Sequence, residues 1–404
     1  MVYRTLRYFN LTSLILGHNR FKEPMMKSTT AYYLNHSGTN YEIGQHLGKW
    51  ILATPEAARK LQASPGMFPV RTQETIAAMF EMFDQYCPGV NEEIQGFADT
   101  VGVDPAQVLF YSISFFAHGC NVMALKPEKN LEGHTVLAYT YDFTDILEEM
   151  CLATTSVIGK YSHTGSQCNI FGRANGINEH GLALCQSSNG IPVTPIKGLG
   201  LDPQLTGLNF WCVIRALLEN CKNISEALEY LEKAPISYNM NLMMGDASGD
   251  IALFENLHGF KAYKIVTGSD QEGFLCASNH AVLPEMLAWE NGRLKSSVKR
   301  FGVIRNTFTA KRKISREDIR QLISTSYPRG LCTHFYDPQN MFGMLYGGIL
   351  DIEEKAIDIT FGTPQHNPWR RFDVGVKDTD QVFKVSLPYE QPPKDFFEMT
   401  EDTV

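Results

Sequence analysis

Residue 120 is a cysteine directly preceded by glycine, and the pair sits where the sequence changes from helical to strand-like periodicity. A thiol placed this way can attack the carbonyl of Gly119 and convert the peptide bond to a thioester that water then hydrolyses. Glycine lets the backbone take the strained shape such an attack requires. The cut frees Cys120 as a new N-terminus, whose α-amine has a pKa of about 7.7–8.0 when unperturbed. That amine can act near neutrality as general base for its own thiol. Nucleophile and base then reside in one residue, and no catalytic histidine is needed. The same dipeptide also reads as a buried structural cysteine after a helix C-cap.

Three features downstream have residue types that complete such a site. Tyr141-Asp142-Phe143 ends a strand-like run that begins at His134. A carboxylate there, on a strand returning beside the first, can hold and orient the new ammonium group; an ordinary turn aspartate is the alternative. Asn241 follows Asn239 and Met240 into the apolar run Leu242-Met243-Met244-Gly245. Its amide can point at a developing oxyanion, or cap the strand start. Asn279-His280 closes another apolar run, and Ser297 and Arg300 open the following helix. Arg300 can meet a substrate carboxylate or form a surface ion pair. Tyr141 is the second substrate-facing candidate. Phe143, Met240, Met243 and Met244 suit an apolar acyl pocket and a packed core equally.

Other chemistries lack their residues. The eleven histidines show no HExxH and no CxxC partner, so no dedicated metal site is expected. Walker A, GxGxxG after a strand and GxSxG are all missing, which removes the usual nucleotide and α/β-hydrolase readings and leaves no cofactor expected. The acidic pairs Glu92-Glu93, Glu148-Glu149 and Glu353-Glu354 read as solvated faces. A formal net charge of −8 gives no global field toward nucleic acid or anionic lipid. Nine cysteines, an odd number, argue for reduced thiols and a cytoplasmic protein. No segment is long and apolar enough for a signal or membrane span. The sequons at Asn10, Asn35 and Asn223 carry little weight without a secretion signal.

The elements that must position these residues are legible in outline. A hydrophobic share of 44% over 404 residues supplies a large core. The first 119 residues read mostly as helix: 41–62, interrupted at Pro55; an amphipathic 71–86; 91–101, stopped by Gly102; and a segment from Asp104-Pro105 to about 116. A strand is expected at 30–34, with 1–29 a loose extension ahead of it. From Cys120 the pattern is strand-like: 121–126, 134–141, 152–159, 168–174 and 181–187, the last two joined through 175–180. Helices at 208–220 and 225–233 precede strands at 241–245, 251–256, 261–267 and 274–278. Helices at 296–309 and 315–325 follow, the latter opening with Ser315 and Asp318 at capping-box spacing. Apolar runs at 341–346 and 356–361 close the pattern, and the charged tail after Leu387 reads as a surface arm. Blocks of strands and helices, rather than βαβ alternation, fit two mostly antiparallel sheets with helices outside them.

Taken in order, these motifs resemble the acyl-coenzyme A:6-aminopenicillanic-acid acyltransferase family, a branch of the N-terminal nucleophile hydrolases. The likeness runs from about Thr30 to Val374. Tyr41-Glu42-Ile43-Gly44-Gln45-His46-Leu47-Gly48 is similar to the family's leader motif, and the stretch from Asn91 to Gly102 resembles its acid-rich helix. Gly119-Cys120 falls where the family cuts itself. Asn178-Glu179-His180-Gly181-Leu182, the stretch from Asn241 to Gly249 and Asn279-His280 follow in family order. The resemblance implies an α+β fold, a four-layer αββα sandwich. It implies a leader of residues 1–119 and a catalytic body of residues 120–404 that stay associated after cleavage as a heterodimer. Cys120 would be the nucleophile, Asp142 would sit by its amine and Asn241 would stabilise the oxyanion. The substrate would be a small acyl amide or acyl-CoA, hydrolysed or transferred through an acyl-thioester. The sequence departs from the family before the aspartate, where Tyr139 and Thr140 replace the usual Arg or Gln and Asn; this bears on charge around the thiol and on substrate class. A folded descendant that binds an acyl ligand or a protein without turnover is the competing reading.

Overall fold

The computed structural model describes residues 26–54, 73–109, 120–145, 148–190, 207–268, 272–290, 292–336, 342–376 and 378–400. In chain order they form β1 (Met26–Gly38), α1 (Asn40–Ala53), α2 (Gln73–Tyr86), α3 (Val90–Val101) and the short α4 (Pro105–Leu109). Then come β2 (Asn121–Leu125), β3 (Val136–Phe143), β4 (Cys151–Val157), β5 (His163–Cys168), β6 (Gly172–Arg173), β7 (Asn175–Asn178) and β8 (Ala183–Ser188). Helices α5 (Phe210–Asn220) and α6 (Ile224–Lys233) lead to β9 (Met240–Gly245), β10 (Ile251–Leu257), β11 (Phe260–Val266) and β12 (Phe274–Ala277). A 3-10 segment (Pro284–Trp289), α7 (Lys295–Ala310) and α8 (Arg316–Ser324) precede β13 (His334–Phe335), β14 (Phe342–Asp351), β15 (Ala356–Phe361), β16 (Trp369–Asp373) and β17 (Gln381–Pro388).

The strands make two sheets. The first runs β11-β10-β9-β8-β7-β5-β4-β1-β17 with β6 on β5, and the second runs β12-β2-β3-β14-β15-β16 with β13 on β14. Among the strands of the described residues, β1 and β4 are the one pair that runs parallel. Alternation along β2 shows how the layers stack: Val122 and Ala124 enter the core between the sheets, together with Cys185 and Met243 of the first, whose Cys185 thiol reaches the Ala138 carbonyl of β3. Met123 and Leu125 point the other way, into a second core with Ile304 and Phe308 of α7 and Ile319, Leu322 and Ile323 of α8. On the far side α5 lies so close to the first sheet that a Cβ on Gly172 would meet Trp211 at 2.5 Å. The order is helix, sheet, sheet, helix, the four layers expected.

Local chemistry fixes the boundaries. Thr39 and Glu42 form a capping box at the start of α1, which ends at Ala53, ahead of Pro55. Gly102 stops α3 in the left-handed region, at φ 77°. Ser315 and Asp318 cap α8 reciprocally. The motif at 41–48 has a steric cause. A Cβ on Gly44 would lie 1.9 Å from the Glu93 carbonyl oxygen, and one on Gly96 would lie 2.1 Å from that of Tyr41. Helices α1 and α3 thus cross backbone to backbone. Gly44→Ala is expected to cost about 1–3 kcal/mol by overpacking, against a helix-propensity gain of about 1 kcal/mol. Gly302 in α7 has open space around it, so Gly302→Ala is expected to keep or raise the urea midpoint while Gly44→Ala lowers it.

Four expectations need correction. Residues 26–29 are not loose: they belong to β1 and pair with Val385 to Pro388 of β17. The tail is not a free arm, because Phe396 is fully buried against Tyr327, Phe335 and Phe342. The connection expected at 175–180 is shorter, since Asn175–Asn178 is itself a strand. Its Asn178 amide donates to the carbonyls of Leu218 and Cys221 and so caps the end of α5. Lastly, the acids Glu93, Glu148 and Glu149 are buried, each held by partners the sequence places far away or out of pattern. Glu353 and Glu354 are exposed, as read.

Candidate active site

Cys120 immediately precedes β2 and is buried in the core between the sheets. Its neighbour Asn121 faces the opposite way, toward α7. The register places Asn121 opposite Thr140 of β3, so Cys120 lies alongside Tyr141 and Asp142. The Cys120 Sγ is 3.9 Å from the Asp142 carbonyl oxygen. Gly119 lies outside the described residues.

Asp142 is 1% exposed. Its Oδ2 accepts a 2.5 Å bond from the Thr333 hydroxyl, while Oδ1 has no hydrogen-bond partner among the described residues. Burial pushes its carboxyl up to about 7, against the opposing pull of Arg300, Thr333 and Thr140. A buried carboxylate with one open oxygen is a natural acceptor for an ammonium group.

Arg300 is fully buried, neither a surface ion pair nor open to solvent. Its Nη1 donates at 2.8 Å to both the Cys120 carbonyl and Asn121 Oδ1, and Nη2 donates at 2.9 Å to Asn279 Oδ1. Burial lowers its pKa, partly offset by Asp142 and Cys120. Arg300 therefore grips the backbone on the C-terminal side of the proposed cut.

Asn241 sits at the start of β9, fully buried. Its Nδ2 donates to the Ser278 carbonyl at 2.8 Å, to Ser187 Oγ at 3.2 Å and to the His280 carbonyl at 3.3 Å. Asn189 Nδ2 donates to its Oδ1 at 2.6 Å. A chain of hydrogen bonds links it to the cysteine: the Ser278 hydroxyl donates to Asn121 Oδ1 at 2.7 Å, and Arg300 binds both Asn121 and the Cys120 carbonyl. The structure thus gathers Cys120, Tyr141, Asp142 and Arg300 directly and ties Asn241 in through Ser278.

The remaining candidates have other surroundings. Tyr141 is buried and donates to Glu148 Oε2 at 2.9 Å. Tyr139 reaches between the sheets to Ser166, 3.4 Å away, and Thr140 accepts from the Asn121 amide at 2.8 Å. Tyr139 and Thr140 thus brace the site. Met240, Met243 and Met244 are wholly buried core, and Phe143 packs edge-on against Tyr141. All nine cysteines are free thiols and buried. His134, Asp351 and Glu353 bring ligand atoms within 4.8 Å of one another. Glu353 already accepts from the Thr135 amide and hydroxyl, and Asp351 from Arg316, so the cluster satisfies itself. Sequence reading missed Asn121, Asn189, Ser278 and Thr333, single polar residues whose partners lie far along the chain.

The family model for acyl-coenzyme A:6-aminopenicillanic acid acyl-transferase matches residues 129–366. This covers more than half the chain, including Asp142, Asn241 and Arg300, and begins after Cys120. A comparison with curated proteins returned no match. Among solved structures, a mutant of conjugated bile acid hydrolase from Clostridium perfringens is 12% identical, over 68% of this chain and 97% of that one, with a TM-score of 0.43. Penicillin V acylase from Agrobacterium tumefaciens is 18% identical over 62% and 77%, with a TM-score of 0.34. The Caenorhabditis elegans N-acylethanolamine-hydrolyzing acid amidase ortholog is 10% identical over 57% and 92%, with a TM-score of 0.40.

Proposed function

The chain belongs to the acyl-coenzyme A:6-aminopenicillanic acid acyl-transferase family, and on that premise we propose that it is a self-processing amidohydrolase or acyltransferase whose nucleophile is Cys120. The observation that carries this reading is the open Oδ1 of buried Asp142 beside the start of β2. Cleavage between Gly119 and Cys120 puts a positive charge there, and a buried carboxylate near neutrality is a suitable partner for it.

The steps follow from the positions. Cys120 Sγ attacks the Gly119 carbonyl, the peptide nitrogen leaves as the α-amine of Cys120, and water releases the leader. In turnover the amine takes the thiol proton, the thiolate attacks the amide carbonyl of a small substrate, and the protonated amine returns the proton to the leaving nitrogen. Water or a second amine then accepts the acyl group from sulfur. Arg300 holds the Cys120 carbonyl still. Asn241 stabilises the oxyanion by exchanging its longest contact, that to the His280 carbonyl, for the developing charge. Tyr141 lies beside the thiol, where it can meet the acyl chain.

Intact-mass measurement of the purified protein tests this: fragments meeting at Gly119 and Cys120 are expected. Cys120 should then react with an electrophilic N-acyl or haloacetamide reagent far faster than the other eight thiols. A wild-type chain that stays whole and labels no cysteine selectively would favour a binding protein without turnover.

A further inference from the structure

Ser187, Asn241 and Glu255 stand in one row across β8, β9 and β10, because the register pairs Ser187 with Asn241 and Asn241 with Glu255. Directly paired residues share a face, and all three grip a single segment, the exit of β12 from the second sheet. Ser187 Oγ and Asn241 Nδ2 both donate to the Ser278 carbonyl. Asn241 also reaches the His280 carbonyl. Glu255 takes the far end: Oε1 accepts from the Val282 amide at 2.7 Å and Oε2 from the Leu283 amide at 3.2 Å. The backbone that engages the Asn241 amide is thus pinned, a few residues on, by a carboxylate fully removed from solvent.

We infer that Glu255 is a positioning residue: it clamps the segment from Ser278 to Leu283 and thereby sets the orientation of Asn241. This rests on the role given to Asn241 under the proposed function. The groups around the clamp are few. Beside Glu255 in the sheet stand Asn241 and Ala262, both uncharged. From the gripped segment and beyond come His280, Glu285, and Glu290, which accepts from the Ala281 amide and is ion-paired with Arg293. Burial depresses His280 to about 3, with Arg293 and Arg300 acting the same way, so it is neutral over the relevant range.

Burial also pushes the Glu255 carboxyl up to about 7; the two amide bonds oppose this, and Glu290 and Glu285 add to it. The sign follows from linkage. With the segment clamped, the group holds its proton to near pH 7, whereas an opened, hydrated Glu releases it near 4.3. The clamp is therefore fully favoured below about pH 4.3, weakens by up to about tenfold per pH unit as pH rises from there through about 7, and changes no further above that.

Hydrogen exchange of a peptide spanning residues 279–284, corrected for the intrinsic rate, measures this in the unaltered protein from pH 5 to 9. Protection is expected to fall from pH 5 to about 7 and to be flat above it. Glu255→Gln, neutral at every pH, is expected to abolish that dependence and to remove the matching change in kcat between pH 5 and about 7, while Glu255→Asp restores both. Flat protection in the wild type, or the same slope in Glu255→Gln, overturns the inference. Because exchange needs no turnover, that failure is distinct from absence of cleavage at Cys120, which would overturn the proposed function instead.

Discussion

Cys120→Ala is expected to remain a single chain of 404 residues and 45.4 kDa under conditions where the wild type divides into residues 1–119 and 120–404. Turnover of N-acyl amides should fall by at least about 10³-fold, as when other enzymes lose a nucleophile. Both effects have one cause. The thiol that attacks the Gly119 carbonyl during maturation is the thiol that attacks substrate afterwards. Cys120→Ser is the informative intermediate. Its hydroxyl is a poorer nucleophile with a far higher pKa, so slow self-cleavage and weak turnover are expected together. A Cys120→Ala protein that still divides at residue 120 places the cut under another agent. A variant that stays whole yet keeps wild-type turnover removes Cys120 from the chemistry.

Alanine is also the gentle choice at this position. Cys120 is 6% exposed and packed in the core between the sheets, so losing one sulfur atom leaves a small cavity rather than a burden of polarity. Arg300 would still hold the residue 120 carbonyl, and Asp142 would still receive Thr333. The lost function is then separable from lost structure by the melting temperature of the same sample.

How much of this the sequence discloses depends on the range of the interactions. Gly102 and the capping pair Ser315 and Asp318 act through neighbours in the chain, so their types announce them. The seam at Cys120 is visible because helix and strand periods differ on its two sides. Arg300 is different. A charged residue on the first turns of a helix looks like surface, and only the return of β2 against α7 buries it on the Cys120 carbonyl. Thr333 and Ser278 are ordinary hydroxyl residues until the second sheet sets them beside Asp142 and Asn121. Glu148 illustrates the same limit: it follows a strand in a polar stretch, yet the fold buries it against the Tyr141 hydroxyl.

The buried charges between leader and body set the second large expectation. Arg215 on α5 donates to Glu93 Oε2 at 2.6 Å and Oε1 at 2.9 Å, and its Nε donates to Glu219 at 2.9 Å. Every side chain in this group is at most 3% exposed. Glu93 belongs to α3, before the proposed cut, and Arg215 to α5, after it. Burial alone would raise Glu219, but Arg215 and Lys160 hold it at about 2. Removing the guanidinium leaves two carboxylates out of water, Glu219 with Lys160 at 2.6 Å, Glu93 with the Asn40 amide at 3.3 Å, and Arg173 acting on both from further off. Arg215→Met is therefore expected to cost about 3–5 kcal/mol, even though Met is apolar and fits a core. After cleavage the cost falls on the association of the two pieces, since Glu93 and Arg215 are then on separate chains. Leader and body are expected to part at lower urea, read by size-exclusion chromatography. Adding Glu93→Gln to Arg215→Met should recover part of the loss, because the stranded charge goes with it, and a coupling above about 0.5 kcal/mol marks the pair as direct. If Arg215→Met parts at the wild-type urea concentration, the ion cluster does not hold the halves together, and the glycine crossing of α1 on α3 cannot substitute for it, since both those helices lie before the cut.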